Sequence, residues 1–286
     1  MTNRSIFACT ASLLLALTAV IATAETKRSA QADSGLTVPF NSEEQSAQVT
    51  KVHNLQTILS SLKRQKFEKD QFETSTAYAE RMANTTLIEN VAIDSLMAFQ
   101  FAPLDAFPLC RTEYKADTSE IGIRCDLAGR HFFYLPQEGN RILKSFTVGV
   151  AKSTDKSSYV ASNAFGVKKS VTIRHAVGTG LAISNLGDIT VGEHENVLRN
   201  LVLTVQNVPV DEARRNLNDL GLLFVVKLVP PYLLKESKAQ GPTVSRPVDF
   251  TGEYEYLYST LEELWVINLK SGAVLRRFNS RGKPLN

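Results

Sequence analysis

The stretch from Leu201 to Val229 constrains the fold more than any other part of this 286-residue chain, because strand, helix and second strand can be read from it in one pass. In residues 201–206 every second side chain is Leu or Val, a two-residue period that predicts a strand. Asp211 stands where a helix N-cap belongs, and Gly221 is placed to end that helix. The apolar run Leu222–Val226 then predicts a strand buried on both faces.

The connection between these two strands leaves their pairing open. A helix of about ten residues can cross over the sheet and leave the strands parallel, or it can cap an antiparallel pair. Pro230 and Pro231 lack a backbone donor and are predicted to end the second strand. The chain as a whole is predicted to have an α+β fold of mainly antiparallel sheet, with a few short helices and one longer N-terminal amphipathic helix.

The first 24 residues have the three parts of a secretory signal peptide. Arg4 supplies the basic region, residues 13–21 form an apolar core, and Ala22 to Ala24 form a small-residue cleavage site. A membrane anchor needs about 20 apolar residues, and this run is shorter. The sequence therefore predicts cleavage near Ala24, export to the periplasm or beyond, and no transmembrane span in the mature chain.

The charge balance gives no case for a nucleic-acid partner. The chain has 32 Lys and Arg against 29 Asp and Glu. Removal of the predicted signal peptide takes away one basic residue, Arg4, and no acidic residue, which leaves the mature chain close to neutral. Binding to nucleic acid requires a concentrated basic face. Another envelope protein or a peptide is the predicted kind of partner, and the oligomeric state is left open.

The mature chain keeps two cysteines, Cys110 and Cys125, an even number in an exported protein. Their flanks alternate as strands, with a turn near Asp117 and Thr118. A disulfide between them fits one hairpin register, which also pairs Thr112 with Ile123 and Tyr114 with Ile121. A reactive thiol pair is disfavoured because the sequence has no CxxC motif. We therefore predict a Cys110–Cys125 disulfide.

The polar segment 25–48 is predicted to be a mobile leader. Segment 49–66 is predicted to be an amphipathic helix that docks either on the domain behind it or on a partner. Its apolar face consists of Val52, Leu55, Ile58, Leu59 and Leu62.

Residues 67–286 are predicted to form one α+β region or two subdomains, 67–151 and 159–286, separated by the polar stretch Lys152–Ser158. Gly178 to Gly180 are predicted to form a hairpin turn. Near the C-terminus, residues 254–278 fit strands that turn at residues 270–272, although Thr260 and Glu263 would also suit the capping box of a helix.

The ten residues FETSTAYAER, Phe72 to Arg81, resemble an FETxxEYxxR-like stretch of uncharacterised exported bacterial proteins, and the later SNAFGV is similar to the same group. The resemblance implies export but no activity. Thr74 is a predicted N-cap, with Tyr78 and Arg81 one turn apart on the following helix. Ala77 replaces the acidic residue of the pattern, so the reciprocal contact of a capping box is missing. Tyr78 and Arg81 are candidates for ligand contact or for packing.

The sequence contains no signature of a catalytic, cofactor or metal site. His175 shares a strand phase with Val171 and Ile173, which indicates local hydrogen bonding at the edge of the core, with a ligand contact as the alternative. His194 lies between two glutamates that would point to the opposite face of a strand, and His131 has no helical partner, so a zinc site is not predicted. Catalytic residues are left unassigned, and no cofactor is expected.

These observations predict an exported, periplasmic binding or envelope-interaction protein without enzymatic activity. The positive argument is the abundance of strands, whose edges can accept a further strand. The alternative is a hydrolase whose acid/base pair is assembled from residues distant in the sequence.

Overall fold

The structure is a computed structural model that describes residues 35–67, 69–107, 109–127, 131–135, 141–191 and 199–285. The predicted signal peptide lies outside these residues. Within the described residues the fold is mostly β, with 55% strand and four short helices, so the α+β prediction is wrong. The reason is strand length, because segments predicted as short strands join into continuous strands of 16–22 residues.

The fourteen strands of the described residues are named here in chain order. They are β1 (Thr86–Ile88), β2 (Val91–Ala92), β3 (Leu96–Phe101), β4 (Cys110–Lys115), β5 (Glu120–Leu127), β6 (His131–Leu135), β7 (Arg141–Ser162), β8 (Lys168–Ile183), β9 (Thr190–Val191), β10 (Arg199–Val205), β11 (Leu220–Gln240), β12 (Val248–Asn268), β13 (Val274–Asn279) and β14 (Pro284–Leu285). The helices are α1 (Leu55–Lys63), α2 (Ser75–Ala83), α3 (Pro103–Ala106) and α4 (Val210–Asn216), with 3₁₀ turns at Leu186–Ile189 and Leu217–Asp219.

The predicted long helix over 49–66 is wrong, because α1 spans nine residues. Asn54 begins it by accepting a hydrogen bond from the Thr57 N–H through its side chain (3.0 Å). The residues before Asn54 are extended because their backbone binds elsewhere: Val52 O accepts from Leu36 N, and His53 N donates to Ala98 O. The apolar face of α1 packs into the main core of the described chain through Ile58, Leu59 and Leu62.

The predicted mobile leader is also wrong for residues 35–48, which pack against the sheet. Phe40 is buried and meets the ring of Trp265 edge to face at 5.5 Å. Gln48 forms a bridge with Ala273, and Val49 N donates to Gly272 O. The polar composition hides a few apolar anchors that suffice for docking.

The larger sheet is mixed and has β12 at its centre. One edge of β12 pairs with β11, which in turn pairs with β3. The other edge pairs with β13 over residues 263–267 and, in parallel, with β8 over residues 248–259. Antiparallel pairing then continues from β8 to β7 and from β7 to β6, while β13 pairs with β14. The smaller sheet has the order β4-β5-β10-β9.

The disulfide hairpin forms in the predicted register. Strands β4 and β5 pair Cys110 with Cys125, and the predicted pairs of Thr112 with Ile123 and Tyr114 with Ile121 are also present. The two sulfurs lie at disulfide distance. The turn falls at residues 116–119, and Tyr114 Oη donates to Val208 O (2.9 Å), which joins the hairpin to the chain after β10.

The Leu201–Val229 unit forms its two strands, but they lie in different sheets, because β10 pairs with β5 while β11 pairs with β12 and β3. Neither predicted pairing of the two strands therefore occurs. Helix α4 begins after Pro209, not at Asp211. Gly221 belongs to β11, where any larger side chain would collide with Leu269. The prediction that Leu222–Val226 is buried on both faces is confirmed.

Three predicted breaks lie inside strands. The stretch Lys152–Ser158 is part of β7, and residues 34–286 form one compact unit. Gly178 to Gly180 lie within β8, where the close approach of Gly149 and of the Tyr254 ring leaves no room for a Cβ. The Pro230–Pro231 bond is cis, and β11 continues past it to Gln240 with a register irregularity between Leu228 and Leu233.

His53 joins three segments from a buried position. Its Nδ1 accepts a hydrogen bond from Ala98 N (3.1 Å) in β3, so Nε2 carries the proton and donates to Val38 O (3.1 Å). Burial lowers the pKa of His53 from 6.5 to about 4, although the hydrogen bond to Val38 O opposes the shift. The imidazole is therefore neutral in the folded protein at neutral pH.

Stability is expected to fall as the pH drops from 6.5 towards 4. The unfolded chain binds a proton at His53 near pH 6.5, whereas the folded chain does so only near pH 4, so acid favours unfolding by about 2 kcal/mol at pH 5. Urea denaturation at pH 7 and pH 5 measures the difference. The His53→Gln variant should lose this component of the pH dependence, while His175→Gln should retain it. An unchanged pH dependence in His53→Gln would contradict the assignment.

Candidate functional site

The distal parts of four strands form an exposed region that is named the sheet arm. It consists of residues 150–162 of β7, 168–180 of β8, 233–240 of β11 and 248–257 of β12, in the order β11-β12-β8-β7. One face continues the core that holds α1 and is called the helix-side face. The other is called the tyrosine face. The two faces of the arm differ in chemistry because side chains alternate along each strand.

The helix-side face carries polar contacts between neighbouring strands. His175 Nδ1 and Thr251 Oγ1 are 3.0 Å apart, and Tyr159 Oη lies 3.4 Å from Asp249 Oδ2, to which it donates. Lys63 of α1 forms an ion pair with Glu255 and so attaches the helix to β12. His175 therefore hydrogen-bonds to its neighbouring strand, and these contacts hold the arm together.

The tyrosine face is built from aromatic rings lying over small residues. The rings of Tyr254 and Tyr256 are stacked, with centroids 6.4 Å apart. Gly178 and Gly252 lie beneath Tyr254, where a Cβ would collide with the ring. Burial raises the pKa of Tyr256, with a smaller contribution from Glu236, so this phenol is protonated at neutral pH. Tyr256 is buried and Tyr254 is half-buried, so the aromatic surface exposed on this face belongs mainly to Tyr254.

An ion pair lies further out on the tyrosine face. Arg174 donates to Asp155 through two nitrogens, with an Nη2–Oδ2 distance of 3.0 Å. The hydrogen bond from Arg174 lowers the pKa of Asp155. Both side chains are solvent-exposed, so the pair bridges β7 and β8 with little gain in stability.

Within the described residues, the outer edge of β7 is open along most of the strand. β6 pairs with β7 only over residues 141–145, and across residues 146–162 the described chain pairs with β7 on the β8 side alone. Residues 150–160 are all exposed. Lys152 and Lys156 lie along this edge, and a bulge falls between Asp155 and Ser157. Lysines and bulges of this kind protect an edge strand from indiscriminate pairing.

The β7–β8 turn is ordered by Asn163. Its Oδ1 accepts hydrogen bonds from Phe165 N and Val167 N, both at 3.0 Å, and Gly166 adopts a positive φ of 77° that favours glycine. Phe165 at the apex is 91% exposed, and Val160 is 71% exposed. The SNAFGV motif thus forms the turn of this hairpin and presents apolar side chains to solvent.

Tyr78 and Arg81 lie on α2 and stabilise the loop that precedes it. Arg81 donates to both carboxylate oxygens of Glu73 (2.8 and 2.9 Å) and to Lys66 O (2.6 Å). Tyr78 Oη donates to Phe67 O (3.0 Å), and the Arg81 guanidinium lies 5.3 Å from the centre of the Tyr78 ring. Thr74 caps the helix as predicted, accepting from Ala77 N (3.1 Å). These contacts of Tyr78 and Arg81 are structural. They do not involve His175, which hydrogen-bonds to Thr251 in the sheet arm.

His131 lies in β6, and His194 is outside the described residues. Within the described ranges, no group of three His, Cys, Asp or Glu side chains could hold a metal ion. No helix in the same ranges is long and apolar enough to span a membrane. The hydrolase alternative stays a prediction.

The residues of the turn and of the open edge were not predicted to be site residues. A signal was available: from Lys156 to Ser170 the chain has three lysines and no acidic residue, with Tyr159, Val160, Phe165 and Val167 among them. This signal did not identify a site, because the exposure of these residues depends on the length of the hairpin, which the sequence does not show.

The chain has no match among protein-family models, curated proteins or solved structures. The residues of the sheet arm alone therefore support the functional argument.

Proposed function

We propose that this chain is an exported, periplasmic binding protein without enzymatic activity, and that the outer edge of β7 receives an extended segment of another envelope protein. The single observation that carries the proposal is the exposure of residues 150–160 in a strand that is paired on one side within the described chain. An incoming strand on such an edge gains main-chain hydrogen bonds along its length.

The charge of the edge supports a partner segment that contains acidic residues. Lys152 and Lys156 would meet such a segment, while Asp155 is already paired with Arg174. A basic segment would repel the two lysines, and a neutral segment would leave them without an opposite charge. Complementary charge gives an interface its specificity.

Site-specific cross-linking in intact cells tests the proposal. A photoreactive residue at Thr154 should yield an adduct with an envelope protein, and mass spectrometry should locate the cross-link in an extended acidic segment. A photoreactive residue at Gln56, on the exposed side of α1, serves as the control position.

Charge reversal supplies the matched variants. The Lys152→Glu/Lys156→Glu double variant should reduce the Thr154 adduct by about tenfold, because like charges would then face each other. The Lys51→Glu/Lys270→Glu variant changes the same net charge at exposed residues away from β7 and should leave the adduct unchanged. An adduct that survives reversal at the edge, or that forms equally at Gln56, would refute the proposal.

A further inference from the structure

The β7–β8 turn and the strand ends beside it combine two properties, which are exposed apolar side chains and positive charge. Its apolar side chains are exposed at the apex and on both faces: Phe165 at the end, Val160 on the tyrosine face and Tyr159 on the helix-side face. Exposed apolar groups concentrated at the end of a rigid element mark an interaction site. The Asn163 hydrogen bonds hold this arrangement without a partner, so little ordering is needed on binding.

The charged residues nearest the apex along the hairpin are all lysines. Lys168 and Lys169 follow Phe165 by three and four residues, about 10 Å along the hairpin, and point to opposite faces because they are adjacent in a strand. Lys156 adds a third positive charge on β7. No acidic residue occurs between Lys156 and Ser170.

We propose that this turn inserts into the surface of an anionic phospholipid bilayer, with Phe165 among the acyl chains and Lys168 and Lys169 at the headgroups. The depth matches the geometry, since interfacial elements bury their apolar side by about 5–10 Å while cationic side chains remain at headgroup level. Anionic headgroups supply the charge that the turn lacks.

A second copy of the chain fits the same surface less well. Two turns packed around a twofold axis would bring the lysines of one copy towards those of the other, and like charges at an interface oppose association. An anionic bilayer presents a net charge that is complementary to the lysines. Self-association through the turn is therefore an outcome that the test must separate from insertion.

Vesicle sedimentation provides the test, with the purified exported protein. It should sediment with vesicles of equal parts phosphatidylglycerol and phosphatidylcholine at low salt, and binding should weaken in 500 mM salt or with phosphatidylcholine alone. Phe165→Ser should weaken binding about tenfold, because the variant loses the apolar group that is buried. Lys168→Glu/Lys169→Glu should weaken it at least 25-fold, since each lysine contributes about fivefold near an anionic surface.

Matched variants exclude general effects of composition. Phe72 is 87% exposed in the loop before α2, so Phe72→Ser removes an equally exposed phenylalanine at another place and should not change binding. The Lys51→Glu/Lys270→Glu variant should retain most of the binding to anionic vesicles. A Phe165→Trp variant should show a blue-shifted emission when vesicles are added, against the constant signal of the buried Trp265.

The proposal is overturned by any of three results. The first is equal affinity of the protein for phosphatidylcholine vesicles and for anionic vesicles. The second is an equal loss of vesicle binding in Phe72→Ser and Phe165→Ser. The third is a parent protein that is a dimer, does not bind vesicles and becomes a monomer in Phe165→Ser. Loss of the Thr154 adduct with vesicle binding intact would refute only the proposed strand addition, so the two proposals fail separately.

Discussion

The Trp265→Ala variant is expected to unfold with a free energy about 3–5 kcal/mol below that of the parent chain. Trp265 is 0% exposed in β12 and packs against Phe40, which holds the N-terminal segment on the sheet. Its Nε1 donates to Glu263 Oε2 (2.7 Å), and the Arg277 guanidinium lies 4.8 Å from the ring centre. Truncation leaves a cavity and removes all three contacts. Urea denaturation followed by circular dichroism measures the loss, because the fluorescent residue is gone.

The Trp265→Phe variant separates packing from hydrogen bonding. It keeps a ring against Phe40 but has no donor for Glu263, whose carboxylate still accepts from Arg277 (Nη2–Oε2 3.0 Å). A smaller loss, about 1–2 kcal/mol, is expected from the hydrogen bond and the reduced ring. If Trp265→Ala unfolded at the same urea concentration as Trp265→Phe, the large packing contribution would be refuted.

Removal of the Cys110–Cys125 disulfide is expected to lower the free energy of unfolding by about 3 kcal/mol. The bond closes a loop with a sequence separation of 15, so it restricts the unfolded chain while β4 and β5 are already paired in the folded one. The Cys110→Ser/Cys125→Ser variant and the dithiothreitol-reduced parent should both show the loss in chemical denaturation.

The reduced parent is the necessary control because Cys125 is buried, and a serine hydroxyl there adds a desolvation cost of its own. A double variant less stable than the reduced parent would measure that cost. Equal stability of oxidised and reduced parent, or free alkylation of both thiols without reductant, would contradict the prediction.

Local patterns predicted local structure well. The cysteine spacing with alternating flanks gave the register of the β4–β5 hairpin, because a period of two allows one register once a single pair is fixed. Thr74 was recognisable as an N-cap because capping needs only a side-chain oxygen three residues before a free N–H. The apolar run Leu222–Val226 had to be buried on both faces, since neither face offers a polar side chain to water.

The predictions that were based on glycines and on polar segments were wrong for a common reason. Gly178 to Gly180 predicted a turn, yet they lie in β8, where Gly180 meets Gly149 and Gly178 lies under Tyr254. A glycine that permits close approach has the same sequence signal as one that permits a turn. Segment 35–48 seemed to have nothing to bury, although Phe40 packs against Trp265, a residue 225 positions later.

The candidate site could not be predicted from the sequence for the same reason, because local residues do not show the tertiary surroundings. Residues Lys156 to Ser170 display their acid-free character in the sequence, but whether Phe165 is exposed or buried depends on how far the hairpin extends beyond the turn between β11 and β12. The spacing of Tyr78 and Arg81 was visible in the sequence. Their hydrogen bonds to Phe67, Lys66 and Glu73 show that both residues have a structural role.

The sequence by itself determined the hairpin register, the cap at Thr74 and the buried strand at Leu222–Val226, because each depends on residues close together in the chain. The tertiary structure decided that β12 joins β8 in parallel, that β10 and β11 enter different sheets, and that the β7–β8 hairpin projects. Pairing between distant strands depends on which complementary edges meet in the folded chain, and no local period encodes that choice.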